Sequence, residues 1–265
     1  MQSLLDRRLP LRTRRSLLAA GVRRKIASTE LYAVRYGRAA VYLSDADYVI
    51  DRKSFEFAVV EANYATEYDG AVVVDLGAHK GYYGAYAVTH GARAVVAYEP
   101  ESTNLAVLAR TANGYRDRAE WTIRHAAVAA TSGRAELHVL RGSWGHALAP
   151  PESFAQYEVG LEPVDAVALA DVLAEGAGLR DGSRLVVKVN IEGGECPAIL
   201  GTPAGAWSAV DEVFVETHPW AECEATHLAR HLEPSGLTRI ESAHRAVLRM
   251  RREGSSRSGR HSAST

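Results

Sequence analysis

The segment Val72-Val73-Val74-Asp75-Leu76-Gly77-Ala78-His79-Lys80-Gly81-Tyr82-Tyr83-Gly84 carries the sharpest chemical signal in the chain. An apolar stretch ends in Asp75, turns through Gly77 and opens a helix near Gly81 and Tyr82. That is the first crossover of a doubly wound sheet, and ligands bind outside the carboxyl ends of such strands. Glycine lets backbone approach a ligand with no Cβ in the way. The spacing G-x-x-x-G-x-x-G lacks the second close glycine of a dinucleotide turn and the G-K-[ST] ending of a P-loop. It suits a ligand with a ribose and a charged amino-acid head better than one with a pyrophosphate. Such a turn also occurs with no ligand, so a second signal matters. Glu99 closes the next apolar stretch, Ala94-Val95-Val96-Ala97-Tyr98, 24 residues after Asp75. A carboxylate there can accept both hydroxyls of a ribose. The bland alternative is a surface glutamate that favours a helix N-terminus. The two signals in register predict a nucleoside-type cofactor.

These residues need a parallel sheet to hold them, and the pattern supplies one. Short apolar stretches at 71–75, 94–99, 120–125, 184–190 and 211–217 read as strands. Helical patterns at 80–89, 102–113, 168–176, 193–201 and 222–233 separate them. Continuous Val-rich strands alternating with helices mean a mostly parallel α/β sheet with helices on both faces. Two more strands are expected within 237–250, a hairpin within 31–43 and a helix over 54–64. Residues 3–30 read as helix with a break at Pro10. Segment 134–167, with Pro150-Pro151, reads as an irregular insert, the kind of segment that carries function in compact α/β domains. The division expected is a basic helical arm and hairpin over 1–53, the α/β domain over 54–252 and a disordered tail over 253–265.

Apolar residues make up 47% and charged residues 24% of 265, an ordinary balance for a globular chain. No run of 18 apolar residues occurs, so no membrane span is expected. The net charge of −1 hides an asymmetry: residues 1–25 carry +7, residues 245–265 carry +5 and the remainder carries −13. A basic arm can meet nucleic acid or an anionic membrane surface. It can also dock on an acidic body or stay solvated, the reading preferred here because the arm has no aromatic residue for base stacking. The acidic remainder argues against a groove that tracks phosphates, so nucleic acid is not an expected partner. Cys196 and Cys223 form no C-x-x-C pair and are read as two reduced thiols. The chain is read as cytoplasmic.

The residues resemble the FkbM family of class I S-adenosylmethionine-dependent methyltransferases. Asp75-Leu76-Gly77-Ala78-His79-Lys80-Gly81-Tyr82-Tyr83 is similar to that family's first motif. Glu99-Pro100 with Asn104 and Leu108, and His125-Ala126-Ala127-Val128, follow in the family's order. Lys188-Val189-Asn190-Ile191-Glu192-Gly193-Gly194-Glu195 is the most family-specific block, and Val215-Glu216-Thr217-His218 comes last. The resemblance covers roughly residues 54–250. Two departures stand out: Asn190 replaces the usual Asp, and His79-Lys80 replaces the usual Asn-Ile, placing two titratable groups beside the turn.

The resemblance implies a Rossmann-like sheet, S-adenosylmethionine as cofactor and methyl transfer to a hydroxyl. The acceptor expected is a small molecule, a sugar or natural-product intermediate. Asp75, Gly77 and Gly81 would frame the methionine part, Glu99 the ribose and Ala126 the adenine region. Ala78, Tyr82, Pro100 and Asn190 belong to the same cofactor set. A hydroxyl must lose its proton during attack. Glu192 and His218 rank equally as the base, since both follow strands that present residues to substrate. Glu192 equally reads as a backbone anchor, and Pro219 leaves His218 as a turn residue. Lys188, inside an apolar strand, must emerge at the sheet end or bond a carboxylate such as Glu216 or Glu192; it joins the catalytic candidates. His146 is read first as a solvated loop side chain and second as a substrate contact. Trp121, Trp207 and Trp220 are read as core or rim. Asn190 weakens any oxygen cluster with Glu192 and Glu216, so no metal is assigned. An RNA methyltransferase that uses the basic arm, and a cofactor-binding homologue without turnover, are the alternatives. Self-association as a homodimer is left open.

Overall fold

A computed structural model describes residues 9–254. Residues 1–8, with Leu4 and Leu5 of the expected arm, lie outside the described residues, as does the expected tail from 255 onward. The helix starts only after Pro10: α1 is Leu11–Ile26. A proline's fixed φ suits a residue that leads into a helix. Strands β1 (Leu31–Tyr36) and β2 (Ala39–Ser44) pair antiparallel across a tight turn, the expected hairpin. Helix α2 is Tyr48–Phe55 and continues into one π-helical turn, Glu56–Val60. The helix expected over 54–64 is thus displaced towards the N-terminus, and π turns recur at functional sites.

The α/β body follows the expected alternation. Its elements are β3 (Val72–Leu76), α3 (Tyr82–Thr89), β4 (Ala94–Tyr98), α4 (Ser102–Tyr115) and β5 (Glu120–Arg124). After an inserted sheet come α5 (Leu169–Leu179), β9 (Leu185–Val189), α6 (Glu195–Leu200), β10 (Glu212–Glu216), α7 (Ala225–Leu232), β11 (Leu237–Ile240) and β12 (Val247–Arg252). The sheet order is β11-β12-β10-β9-β3-β4-β5, and β12 alone runs antiparallel to its neighbours. This is a doubly wound, Rossmann-like sheet, as expected. Every residue of β3, β4 and β9 is buried, because helices cover both faces. The two faces form two cores by strict alternation. Val73, Val95, Val186 and Phe214 pack with Phe55, Tyr83 and Leu108. Val72, Val74, Val96 and Val187 pack with Val172, Ile199 and Leu228 on the other side. Among the described residues no helix is long and apolar enough to cross a membrane.

The insert is more regular than its sequence indicates. The expected irregular segment 134–167 holds most of two long strands, β7 (Gly133–Leu140) and β8 (Glu158–Ala168), joined to β6 (Ala127–Ala129) in a sheet of order β6-β8-β7. Two features hid them. Pro163 sits inside β8, opposite Glu136, and a proline within a stretch argues against a strand. Val159 and Leu161 stay exposed while Val164 and Ala166 are buried, so the apolar alternation of β8 shifts across Pro163 and marks no single face.

The N-terminal elements are fastened to the turn after β3 by a buried ionic cluster. Lys80 Nζ donates to both carboxylate oxygens of Asp51, at 2.7 and 2.8 Å. Asp51 also accepts from the Ser44 amide at 2.6 Å, the Ser44 hydroxyl at 2.7 Å and the Ser143 hydroxyl at 2.8 Å. Lys80 and Asp51 are both fully buried. The Lys80 departure from the family pattern thus has a structural cause. It ties β2, α2 and the 143–148 loop to the turn after β3. Removing one partner of a buried pair strands the other charge. We expect Asp51→Asn to lower unfolding free energy in urea by about 3–5 kcal/mol; a loss under about 1 kcal/mol would show the cluster to be dispensable.

Candidate functional site

A cavity of about 530 Å³ opens at the carboxyl ends of β3, β4 and β9. It lies at the switch point, where the chain winds one way from β3 to β4 and the other way from β9 to β10. That is where open α/β sheets bind ligands.

Its floor is the turn after β3. Gly77 has φ +68°, and a Cβ there would come 1.8 Å from the Asn190 carbonyl oxygen. Only glycine fits such an approach. Gly81 also has positive φ, but its missing Cβ makes room for Leu108 and Thr111 of α4. It serves helix packing and does not line the cavity. Lys188 Nζ donates to Asp75 Oδ1 at 3.0 Å and to the carbonyls of Leu76 at 3.2 Å and Gly77 at 2.7 Å. Its carboxylate partner is therefore Asp75, not Glu216 or Glu192. Burial raises the Asp75 carboxyl above the usual range, and the Lys188 ammonium pulls it back in part. Asp75 itself lies beneath the cavity wall and does not line it.

Glu99 is held on two sides. Its Oε2 accepts from the His79 amide at 2.7 Å and its Oε1 from the Glu101 amide at 3.0 Å. Each oxygen keeps a free lone pair. The helix-capping duty falls to Glu101, which accepts from the amides of Thr103 and Asn104. Glu99 is thereby left free to meet a ligand. Burial pushes its carboxyl up to about 7. His79 stands beside it with φ +52°, and burial pushes its imidazole down to about 3. Neither ring nitrogen of His79, nor Oδ1 of Asn104 or Asn190, has a hydrogen-bond partner among the described residues. All three residues line the cavity, so unmet polar atoms cluster where a polar ligand would lie.

The far wall holds the titratable groups. Glu192 lines the cavity with φ +49°, a conformation that costs a non-glycine residue about 1–2 kcal/mol. His218 Nε2 lies 3.4 Å from Glu192 Oε2, and its Nδ1 lies 3.3 Å from Glu195 Oε1. Glu195, absent from the candidates, is fully buried and accepts from the amides of Ile191 at 2.7 Å and Gly193 at 2.9 Å. Glu195, and not Glu192, is thus the anchor of this turn. Burial pushes Glu192 up to about 7, against the pull of His218. Burial works against the His218 charge too, but Glu195 and Glu192 outweigh it and push it up to about 9. Glu216 lines the cavity and accepts from the buried Tyr64 hydroxyl at 2.7 Å.

Of the residues singled out by sequence, Gly77, Ala78, Tyr82, Glu99, Pro100, Ala126, Lys188, Asn190 and Glu192 line one cavity. Asp75, Gly81 and His218 stand behind it. His146 is no solvated side chain: it is half-buried, lines the cavity and accepts from the Leu140 amide at 3.0 Å. Sequence reading missed Glu195 and Tyr64. The carboxylate three residues after Glu192 was a legible signal for the first; Tyr64 had none. The expectation of two reduced thiols is overturned, because Cys196 and Cys223 form a disulfide. They are 27 residues apart in sequence but both lie just past the ends of neighbouring strands β9 and β10. Disulfides persist in oxidising compartments, so the pairing removes the support that reduced thiols lent to a cytoplasmic setting.

No family model and no curated protein matches the sequence. Among solved structures, the chain is similar to an FkbM methyltransferase from Methylobacillus flagellatus KT. The identity is 15%, over 70% of this chain and 44% of that one, with a TM-score of 0.45. It therefore spans less than half the length of that protein. A magnesium protoporphyrin IX methyltransferase from Synechocystis PCC 6803 with bound SAM is 11% identical over 77% and 81% of the two chains, with a TM-score of 0.41. A putative RNA methyltransferase from Pyrococcus horikoshii is 11% identical over 92% and 99%, with a TM-score of 0.37.

The bridge staples the Glu192–Glu195 turn to the segment that follows His218. Replacing both cysteines with serine should cost about 3–4 kcal/mol in urea unfolding, the chain entropy of a loop this size. Unfolded but unreduced protein should show no thiol that reacts with a disulfide reagent.

Proposed function

We propose that the chain binds S-adenosylmethionine and transfers its methyl group to a hydroxyl of a small molecule, a sugar or natural-product intermediate. One observation carries the reading. A single cavity joins a twice-anchored Glu99 at one end to a strained Glu192 at the other, across a turn that only glycine permits. The residues fit the cofactor. Glu99 keeps one lone pair per oxygen for two ribose hydroxyls. Ala126 and Pro100 offer an apolar surface nearby, and Gly77 and Asn190 border the space for an amino-acid head. When bound, the cofactor supplies a methyl group already activated by its sulfonium.

The protein's remaining task is to align, dehydrate and deprotonate. Ile50, Phe57, Ala58 and Ile191 wall the acceptor end with apolar surface. Glu192 would take the acceptor hydroxyl's proton on a carboxylate oxygen, while the methyl–sulfur bond gives way to the methyl–oxygen bond and S-adenosylhomocysteine is left as the second product. Of the two candidates of equal rank Glu192 is the base in this reading, supported by its place in the cavity lining, whereas His218 stands behind it, beside Glu195. His218 is a positioning residue that keeps a positive charge beside Glu192. Lys188 holds the turn and takes no part in proton transfer.

Two measurements test this. Calorimetric titration with S-adenosylhomocysteine should show micromolar binding that weakens by about 1–3 kcal/mol in Glu99→Ala. Because burial raises the Glu99 carboxyl to about 7, the acceptor form is lost as pH falls, so affinity should drop below that pH. No binding by folded protein would sink the reading. Glu192→Gln should keep that affinity yet lose about 10²–10⁴-fold in turnover on a panel of hydroxylated acceptors. At saturating cofactor and acceptor, where Glu99 no longer limits binding, the parent's kcat should rise with pH through about 7 as Glu192 ionises, and this limb should vanish in the variant.

A further inference from the structure

Helix α1 has two apolar faces, and only one is used. Thr13, Leu17 and Ala20 are buried on the side that packs on the body. Leu11, Leu18, Val22 and Ile26 are 54%, 44%, 53% and 79% exposed. At about 100° per residue these four fall within a stripe roughly 80° wide, opposite the packed face. Scattered exposed aliphatics are ordinary, but four in one row along a single helix are not.

The stripe is bordered by positive charge. The helix carries Arg12, Arg14, Arg15, Arg23, Arg24 and Lys25 and no acidic residue. Arg24 is committed to Asp45 at 3.3 Å and to the face of Tyr48. Arg12 and Arg23 flank the stripe on one side and Arg14 and Lys25 on the other, with Arg15 inside it. Arg12, Arg15, Arg23 and Lys25 are exposed and make no ion pair among the described residues. Long basic side chains can lay their stems along apolar surface and keep their charges at its edge.

We propose that α1 is an interfacial helix that docks the protein on an anionic lipid surface. A convex apolar row rimmed by Arg and Lys matches the boundary between acyl chains and negative headgroups. Such helices lie in the plane of the bilayer with the apolar side sunk about 5–10 Å. Each basic residue near an anionic surface adds about fivefold to binding. A nucleic acid would use the arginines but gain nothing from four aliphatic side chains, and the helix offers no aromatic ring to stack on bases. The proposal is independent of the reaction assigned to the cavity.

The test is co-sedimentation of the full chain with sucrose-loaded vesicles of phosphatidylcholine, alone or with about 30% phosphatidylglycerol. Binding should be at least about tenfold stronger to the mixed vesicles and should weaken between about 0.1 and 0.5 M salt. Leu18→Ser with Val22→Ser, and separately Arg15→Glu with Lys25→Glu, should each reduce it at least about tenfold. All four positions are exposed, so far-UV circular dichroism and the thermal midpoint should match the parent. Equal binding to both vesicle types, or parental binding by the serine pair, would overturn the proposal. So would a serine pair that alters only self-association in ultracentrifugation, or salt-dependent RNA binding by a chain that ignores the vesicles.

Discussion

The ammonium of Lys188 is the point on which the site depends. It sits inside the sheet, reaches from β9 to β3, and donates to Asp75 and to the carbonyls of Leu76 and Gly77. Burying two charges is costly, and only good geometry with further hydrogen bonds repays it. Here the cost is offset at the one place where the sheet must be shaped with care, the switch point between its two windings. With those carbonyls turned inward, the Gly77 turn can lie against the Asn190 carbonyl. The cavity floor is then a fixed surface made of two strand ends, not a pair of independent loops.

Two further ties converge on the same rim. The Asp51–Lys80 cluster brings β2, α2 and the 143–148 loop against the turn after β3. The Cys196–Cys223 bridge joins the turns that follow β9 and β10. Each tie fixes a different wall, so groups from distant parts of the chain meet with little freedom left to lose. That is the condition for a site that binds and aligns rather than rearranges. The strain is consistent with this reading. His79 and Glu192, both non-glycine residues with positive φ, line the cavity, and such conformations persist only where the surroundings hold them.

The electrostatics follow from burial. Glu99 and Glu192 are pushed up to about 7 and His79 down to about 3, because burial in the protein disfavours charge. His218, behind the cavity, moves towards its charged form, since two glutamates face it. One carboxyl near neutrality beside one retained positive charge is an arrangement suited to proton transfer.

Sequence by itself determined the sheet and the end at which its cavity opens. Val-rich stretches are apolar at every position only when both faces are covered, and Gly77 and Glu99 announce themselves by spacing along the chain. These are local signals, carried by neighbours in sequence. Tertiary structure alone decided the partners. Lys188 finds Asp75 across 113 residues because strand register sets them side by side. Cys196 meets Cys223, and Glu195 holds His218, because β9 and β10 are adjacent. The strands β7 and β8 stayed hidden because Pro163 interrupts β8 and its exposed half, with Val159 and Leu161, carries apolar residues just as does the half that packs on Leu137. Likewise, the stripe of α1 that packs, with Thr13, Leu17 and Ala20, is no more apolar in sequence than the stripe that stays bare. Only the body against which the helix rests distinguishes them.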